Sequence, residues 1–432
     1  MTTAQPASAP SRSALWVVFS IVFVDLVGFG LIIPIQAFYT QSFGARPAVI
    51  TLLGASYSLM QFLFMPFWGR LSDRIGRRPV VLSSVALSAL GFLLFALGTE
   101  LWMLFAARML AGFGNANIGA AQAVIADSTA PQDRAKGMGL IGMAFGLGFV
   151  IGPAVGGTLA QWGLAVPAFA AAGLCALNLV SAYFLLPETR KPDGSGAPAQ
   201  DRKQIRAAVL AQPGVRQLLS LSLVMTTGFA LMEQIVALFI EHFWVPEALV
   251  AATEAEGHRR AARLTTIAML TVGVSMAVVQ GGFTGKLAHR FGEKSLVRAG
   301  ALVILVGLIA VPLVGEYGSF PLFVATCAWL AVGQGLITPS MTGMLSRFVG
   351  PDQQGAALGL GQSMSSLARV IGPACAGSLL EVHTRAPYWT GAALVVVGLF
   401  VMRGLPECRR LPQSMTLPAK SALTAIAGNG CA

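Results

Sequence analysis

The segment Gly69-Arg-Leu-Ser-Asp-Arg-Ile-Gly-Arg-Arg-Pro79 stands between two apolar runs, 48–68 and 80–98. Each run is of the length a helix needs to cross a hydrocarbon core of ~30 Å, about 20 residues. A segment holding Arg70, Arg74, Arg77, Arg78 and Asp73 cannot remain in lipid. It must therefore be a tight turn in water, and its excess of positive charge makes that water cytoplasm. One short stretch thus sets the class of fold and the orientation of the chain.

The pattern continues along the whole chain. Of its 432 residues 55% are hydrophobic and 11% charged, with a mean hydropathy of +0.71. Soluble proteins carry about 25% charged residues, so this composition points to a membrane protein. Apolar runs at 14–36, 48–68, 80–98, 101–125, 138–161, 166–187, 217–240, 265–284, 297–315, 320–344, 356–380 and 387–405 predict twelve spans. With the N-terminus inside, five of the 29 Lys and Arg residues (Arg46, Arg259, Arg260, Arg263 and Arg385) face outward, and Arg108 and Arg369 fall within spans. All others are cytoplasmic, so the net charge of +11 reads as the positive-inside bias rather than as a nucleic-acid surface. Trp16, Trp68, Trp102, Trp162, Trp244 and Trp389 lie near span ends, as an interfacial belt requires. No cleaved signal peptide is expected, since the first apolar run is too long and no processing site follows it. Cys175, Cys327 and Cys375 fall in spans and Cys408 and Cys431 in the tail, with no metal spacing, so neither a cofactor nor a disulfide framework is expected.

Residues 188–216, rich in Pro, Gly, Ser and mixed charge, separate an N-terminal six-span unit (1–187) from a C-terminal one (217–405). A cytoplasmic tail, 406–432, is expected to be disordered. The two units repeat. Gly69-Arg-Leu-Ser-Asp-Arg-Ile-Gly matches Gly285-Lys-Leu-Ala-His-Arg-Phe-Gly, and Ile151-Gly-Pro-Ala-Val-Gly-Gly matches Ile371-Gly-Pro-Ala-Cys-Ala-Gly. Ala130-Pro-Gln-Asp-Arg-Ala-Lys-Gly matches Gly350-Pro-Asp-Gln-Gln-Gly-Ala-Ala. His289 stands where the first copy has Asp73, and Glu293 where it has Arg77, so weaker gating charge is expected in the second half.

The 69–79 segment resembles the loop 2–3 signature of the major facilitator superfamily, in particular its 12-helix drug/proton antiporters, which include the tetracycline efflux pumps. The resemblance implies an all-α integral membrane protein of 12 transmembrane helices in two pseudo-symmetric six-helix bundles around a central pathway. It also implies a proton-coupled efflux antiporter for small amphipathic drugs, multidrug or tetracycline-like, working by alternating access. A proton-coupled carrier of a natural metabolite is the alternative. The partners expected are a small-molecule substrate, protons and the lipid bilayer, with no nucleic acid and a monomeric state. The expected location is the inner membrane, both termini cytoplasmic. No nucleotide loop or nucleophile constellation points to an enzyme.

Charge inside the spans marks the candidate mechanism. Asp25, near the middle of span 1 in Phe-Val-Asp-Leu-Val-Gly-Phe-Gly-Leu-Ile-Ile-Pro, resembles the functional acid of tetracycline antiporters. A carboxyl group there can load and unload protons, or simply pair with an arginine. Arg108, in Ala-Ala-Arg-Met-Leu-Ala-Gly-Phe-Gly, resembles the family's span 4 arginine, linked there to proton transfer, and could reach Asp25. The alternative is a static buried pair. Glu233 in span 7 rests on its position alone, as a second proton site, a counter-charge for a cationic drug, or a structural partner of Arg369. Spans 3 and 9 lack the acidic residues that tetracycline pumps carry there, which points away from tetracycline itself.

Three further groups complete the candidate site. Gly148, Gly152, Pro153, Gly156 and Gly157 resemble the span 5 antiporter signature, with small residues for close helix approach and a proline bend, expected at the contact between halves. The gating loop comprises Gly69, Asp73, Arg74, Gly76, Arg77 and Arg78 with Asp127 at the inner end of span 4. Asp73 is expected against the N-terminal end of span 11, and Arg74 or Arg77 against Asp127. Phe29, Gln36, Asn115, Asn117, Gln122, Met232, Gln234, Trp329, Gln334 and Met341 are the expected cavity lining, whose amides, methionines and aromatic rings suit a bulky amphipathic ligand.

Overall fold

The computed structural model describes residues 12–117, 124, 134–188, 199–246, 253–350 and 353–405. Among them every regular element is a helix. In the first half these are α1 (Arg12–Gln41), α2 (Pro47–Ile75), α3 (Arg77–Ala96), α4 (Leu101–Gly114), α5 (Arg134–Leu159) and α6 (Val166–Leu185). A helix α7 (Ala199–Ala211) lies between the halves. Then come α8 (Val215–Glu233), α9 (Val236–Trp244), α10 (Glu254–Val278), α11 (Gly285–Phe291), α12 (Glu293–Tyr317), α13 (Phe320–Arg347), α14 (Gln354–Val382) and α15 (Ala386–Arg403).

Helix is the necessary solution for such a chain, because only helices and closed barrels satisfy every backbone polar group in lipid. Among the described residues, nine helical stretches are long and apolar enough to cross a membrane, and α4 is a shorter apolar helix. Their outward faces are those of a lipid-facing protein: Phe184 is 76% exposed and Leu177 67%, on a helix whose other face buries Ala168, Ala171 and Cys175 completely.

The helices form two bundles. In the first, α1 packs on α5 and α6, α3 on α4 and α6, and α2 on α4. In the second, α12 packs on α13 and α15, α8 on α14 and α15, and α10 on α13, while α7 lies against α8 and α14. The bundles meet through α2 against α14 and α5 against α10. One apolar core belongs wholly to the second bundle and another to the first. A third joins Phe38, Ile50 and Leu53 to Leu238, Ala261 and Ala262 across the seam.

Three spans differ from expectation in an instructive way. The charged segment after span 2 is not an open turn: α2 continues to Ile75 and α3 begins at Arg77, with Gly76 alone between them. Its φ of +101° is one that a β-carbon would strain. The repeat reproduces the device at Gly292, φ +79°, between α11 and α12. Span 7 is interrupted at Gln234 and Ile235, between α8 and α9. Span 8 starts earlier than its apolar run and ends in a π-helical turn, Val279–Thr284, so Arg259, Arg260 and Arg263 stand on helix rather than in a loop.

Candidate functional site

Midway along α1, Asp25 is buried to 4% exposure. Asn178 on α6 donates through Nδ2 to its carboxylate at 3.3 Å and to the Ile21 carbonyl at 3.1 Å, and the Cys175 thiol lies 3.9 Å from the same carboxylate oxygen. Cys175 and Asn178 are one turn apart and so share a face of α6. Arg108, also 4% exposed, projects from α4 over two rings, 4.5 Å from the centre of Tyr57 and 5.6 Å from that of Phe29. Its Nε and Nη1 have no hydrogen-bond partner. The Arg108–Asp25 ion pair that sequence suggested is therefore not formed. The aromatic pair takes the guanidinium by cation–π attraction, and α6 takes the carboxylate.

Glu233 is the last residue of α8, half-buried at the break in span 7, and makes no ion pair with Arg369. Next to it Gln234 meets Gln36 of α1 over Gly54 of α2. A β-carbon on Gly54 would stand 2.5 Å from Gln234 Oε1 and 3.2 Å from Gln36 Nε2. Amides from both bundles thus converge on Gly54, beside the break in span 7.

Other expected cavity residues scatter. Phe29 contacts Tyr57 (5.0 Å between centres) and Phe149 (6.0 Å) and belongs to the same group as Arg108. Asn115 opens the 3₁₀ turn after α4; its carbonyl accepts from Gln61 Nε2 at 3.2 Å, and its own Nδ2 is unpartnered. Met232 and Met341 are buried in the core of the second bundle. Gln334 bonds along its own helix to Thr338 at 3.2 Å. Trp329 is half-exposed, and its indole N–H donates to the Val303 carbonyl of α12 at 2.9 Å. Its ring therefore lies along α12 and away from the Arg108 group, a correction that periodicity alone does not supply. Asn117 ends the 3₁₀ turn; its side chain, and Gln122 and Asp127 entirely, lie outside the described residues.

At the linker end, Arg77 closes on Asp73 at 2.9 Å and donates to Ser72 Oγ at 2.6 Å. Glu188 accepts the backbone N–H of Arg77 (2.9 Å) and Arg78 (3.1 Å) and so caps the positive N-terminus of α3. Arg78 donates to the Tyr183 carbonyl and lies 5.5 Å over that ring. Gly69 and Arg74 complete the last turns of α2. Asp73 thus pairs with Arg77 across Gly76. In the second half, Glu293 pairs with Arg347 at 3.0 Å. The repeat that carries Ala130 onto Gly350 carries Asp127 onto Arg347, and Arg77 corresponds to Glu293. The second copy thus carries a charge pair of its own, with an acid where the first copy has Arg77.

The α5 glycines face two ways. β-Carbons at Gly148, Gly152 and Gly156 would meet Leu26, Gly30 and Leu31 of α1 at 2.7, 2.6 and 2.2 Å, with Pro153 beside Gly30. Gly157 alone faces Thr266 of α10. Spacing at i, i+4 and i+8 keeps the first three on one face, and that face is turned to a helix of the same bundle. The contact between halves falls on a neighbouring face, at Gly157 against Thr266 and at Val150 against Gly273 of α10.

Sequence reasoning missed Tyr57, Cys175, Asn178, Gly54 and Glu188. A signal existed for Asn178 and Cys175, polar residues one turn apart in an apolar span; for Glu188, read as linker, there was none.

The Major Facilitator Superfamily profile matches residues 18–315 and 260–425. The tetracycline resistance protein, class C, of Escherichia coli is 32% identical over 407 residues, covering 93% of this chain and 97% of that protein. Multidrug resistance protein 2 of Bacillus subtilis is 27% identical over 402 residues, 89% of this chain and 92% of its own. A crystal structure of the nucleoside transporter NupG superposes with a TM-score of 0.72 at 13% identity, covering 91% of this chain and all of that one.

Proposed function

Because the chain belongs to the Major Facilitator Superfamily and is a multi-pass membrane transporter rather than an enzyme, we propose that it is a proton-coupled efflux antiporter exporting small amphipathic drugs by alternating access. Its full-length relatives are tetracycline and multidrug resistance proteins. The observation that carries the coupling is a carboxyl group, Asp25, buried to 4% exposure in the middle of α1. Such a group is expensive in lipid unless it has work to do. In this reading Asp25 exchanges the proton, Arg108 answers the change in charge through the Tyr57 group, and Glu233 at the α8–α9 break is a second exchangeable site. Residues 1–187 and 217–405 are the two rocking units, joined by 188–216. The protein lies in the inner membrane as a monomer with both ends cytoplasmic.

The test is transport in proteoliposomes with an imposed pH gradient, using several unrelated amphipathic dyes. Wild-type protein is expected to accumulate dye against its gradient, and Asp25→Asn to lose uphill accumulation while still folding and inserting. A wild-type accumulation ratio in the Asn variant would refute the assignment. Gradient-driven movement of one natural metabolite but none of the dyes would favour the metabolite carrier.

A further inference from the structure

On the outside of the α5–α10 contact lies positive charge left unanswered among the described residues. Arg259, Arg260 and Arg263 stand exposed on the first turns of α10, and among the described residues none of them forms an ion pair. Glu256, a turn nearer the helix start, is exposed and does not pair with them either. Arg263 reaches across to the first bundle and donates to Gln161 Oε1 at 2.7 Å. The next residue, Trp162, is 71% exposed, and a tryptophan so placed marks the headgroup level of a bilayer. The guanidinium of Arg263 is therefore at the depth of lipid phosphates.

Below the arginines α10 exposes Ile267, Leu270, Val274 and Val278, spaced by three and four and so on the face that carries Arg263. This stripe runs about 16 Å at 1.5 Å per residue, the depth of one leaflet in a core of ~30 Å. α5 exposes a second stripe, Leu147, Ile151 and Val155, that leads up to Trp162. Gly157 faces Thr266 and Gly273 faces Val150, so the two helices are antiparallel. On each helix the exposed stripe lies in the same sense of rotation from these contact positions, and in an antiparallel pair that puts both stripes on one side, flanking one groove. Phe149, on the far face of α5, meets Phe29 beside Arg108, so the groove opens away from the interior and toward lipid.

We propose that this groove binds an anionic phospholipid, its phosphate on Arg259 and Arg263, one turn apart, and an acyl chain laid between the two stripes. A guanidinium fork matches phosphate oxygens bidentately, and basic sites between spanning helices take acidic head groups. A zwitterionic lipid offers the same phosphate but adds an ammonium that three arginines repel. Bound there, the lipid touches both bundles and adds to the contacts that hold this end closed. The site needs only the membrane fold, whatever the transported substrate.

The experiment is photocrosslinking of the full chain in vesicles of phosphatidylcholine with a minor share, about a tenth, of phosphatidylglycerol. A benzophenone maleimide is attached at Val155→Cys, inside the groove, or at Gly173→Cys on the exposed face of α6, where a β-carbon has open space. Each is made in a background free of native cysteines, and the captured lipid is identified by mass spectrometry. Val155 lies seven residues from Trp162 and Gly173 seven from Val166, so the two probes sample similar depths. Phosphatidylglycerol is expected at about threefold or more its bulk share at position 155 and at its bulk share at 173. Arg259→Gln combined with Arg263→Gln should return the 155 probe to the bulk share. Capture of phosphatidylglycerol at 155 no greater than at 173 overturns the proposal without recourse to any arginine variant. Enrichment at 155 that survives both Gln substitutions overturns it as well.

Discussion

At the scale of single residues, the candidate site is a solution to one problem, how to keep a guanidinium and a carboxyl group apart inside a membrane. Two such groups in a low-dielectric interior attract, and a direct pair would hold both in one arrangement. Here Tyr57 and Phe29 give Arg108 an electrostatic partner that is not an acid, and Asn178 gives Asp25 a donor that is not a base. Arg108 can then change its surroundings without first breaking a pair with Asp25. The ring of Tyr57 matters in this scheme more than its hydroxyl. Tyr57→Phe should therefore retain near wild-type dye transport and stability, whereas Tyr57→Leu should lose the cation–π contact, worth about 0.5–2 kcal/mol. Graded SDS unfolding of the purified variants reads that difference; equal loss in both would show that the hydroxyl holds the site. The charged members of this group were legible in the chain, because Asp25 and Arg108 are conspicuous in apolar runs. Their partners were not: an aromatic ring or an asparagine in a span is ordinary until the fold shows what it faces.

At the scale of elements, α5 is a helix with two jobs on two faces. Gly148, Gly152 and Gly156 seat it against α1, which carries Asp25, while Gly157 faces Thr266 of α10 in the other bundle. The two faces predict different failures. Gly156→Val places atoms where the Leu31 carbonyl already lies, and overpacking of that kind costs about 1–3 kcal/mol or more; the expected result is loss of folded protein, seen as aggregation on size-exclusion chromatography. Gly157→Val meets only the side chain of a separate bundle. It is expected to fold but to hold α5 and α10 apart, so that a cysteine placed at the fully buried Ala262 of α10 becomes reactive to maleimide in a background without native cysteines. Indistinguishable behaviour of the two variants would remove the division of labour. The glycine string itself was plain in the sequence; which helix each glycine met was not, because a difference of one residue turns a side chain by about 100°. The same limit applies to the charged segment. Its residues were identifiable, but the helical path through Ile75 and the cap from distant Glu188 depend on how α3 packs on α6.

At the scale of the molecule, among the described residues, polar contacts between bundles gather at the end carrying residues 42–46. Arg263 donates to Gln161 Oε1 at 2.7 Å, the Ala48 N–H to Glu381 at 3.1 Å, and the Gly377 N–H to Thr51 Oγ1 at 3.1 Å. His258, 2% exposed and 3.4 Å from Glu241, stacks on Phe38 of α1 at 5.8 Å. At the linker end Asp73 pairs with Arg77 in the first bundle and Glu293 with Arg347 in the second. The form described is thus closed at one end and held by bonds that are few and individually modest, about 0.5–1.5 kcal/mol for a neutral hydrogen bond. A seam of that strength suits a two-state element whose states differ by a few kcal/mol. If the bundles rock as proposed, fastening this end should stop the cycle without unfolding the protein. The pair Gln161→Cys and Arg263→Cys, in a background free of native cysteines, places one thiol on each bundle where the side chains now touch. Bridging them with a short bis-methanethiosulfonate reagent should abolish dye transport in proteoliposomes, and reduction should restore it, while either single cysteine treated alone keeps its activity. Transport that continues in the bridged protein would mean that the bundles need not part at the 42–46 end, and the motion would then have to be sought within a bundle, at the α8–α9 break beside Glu233.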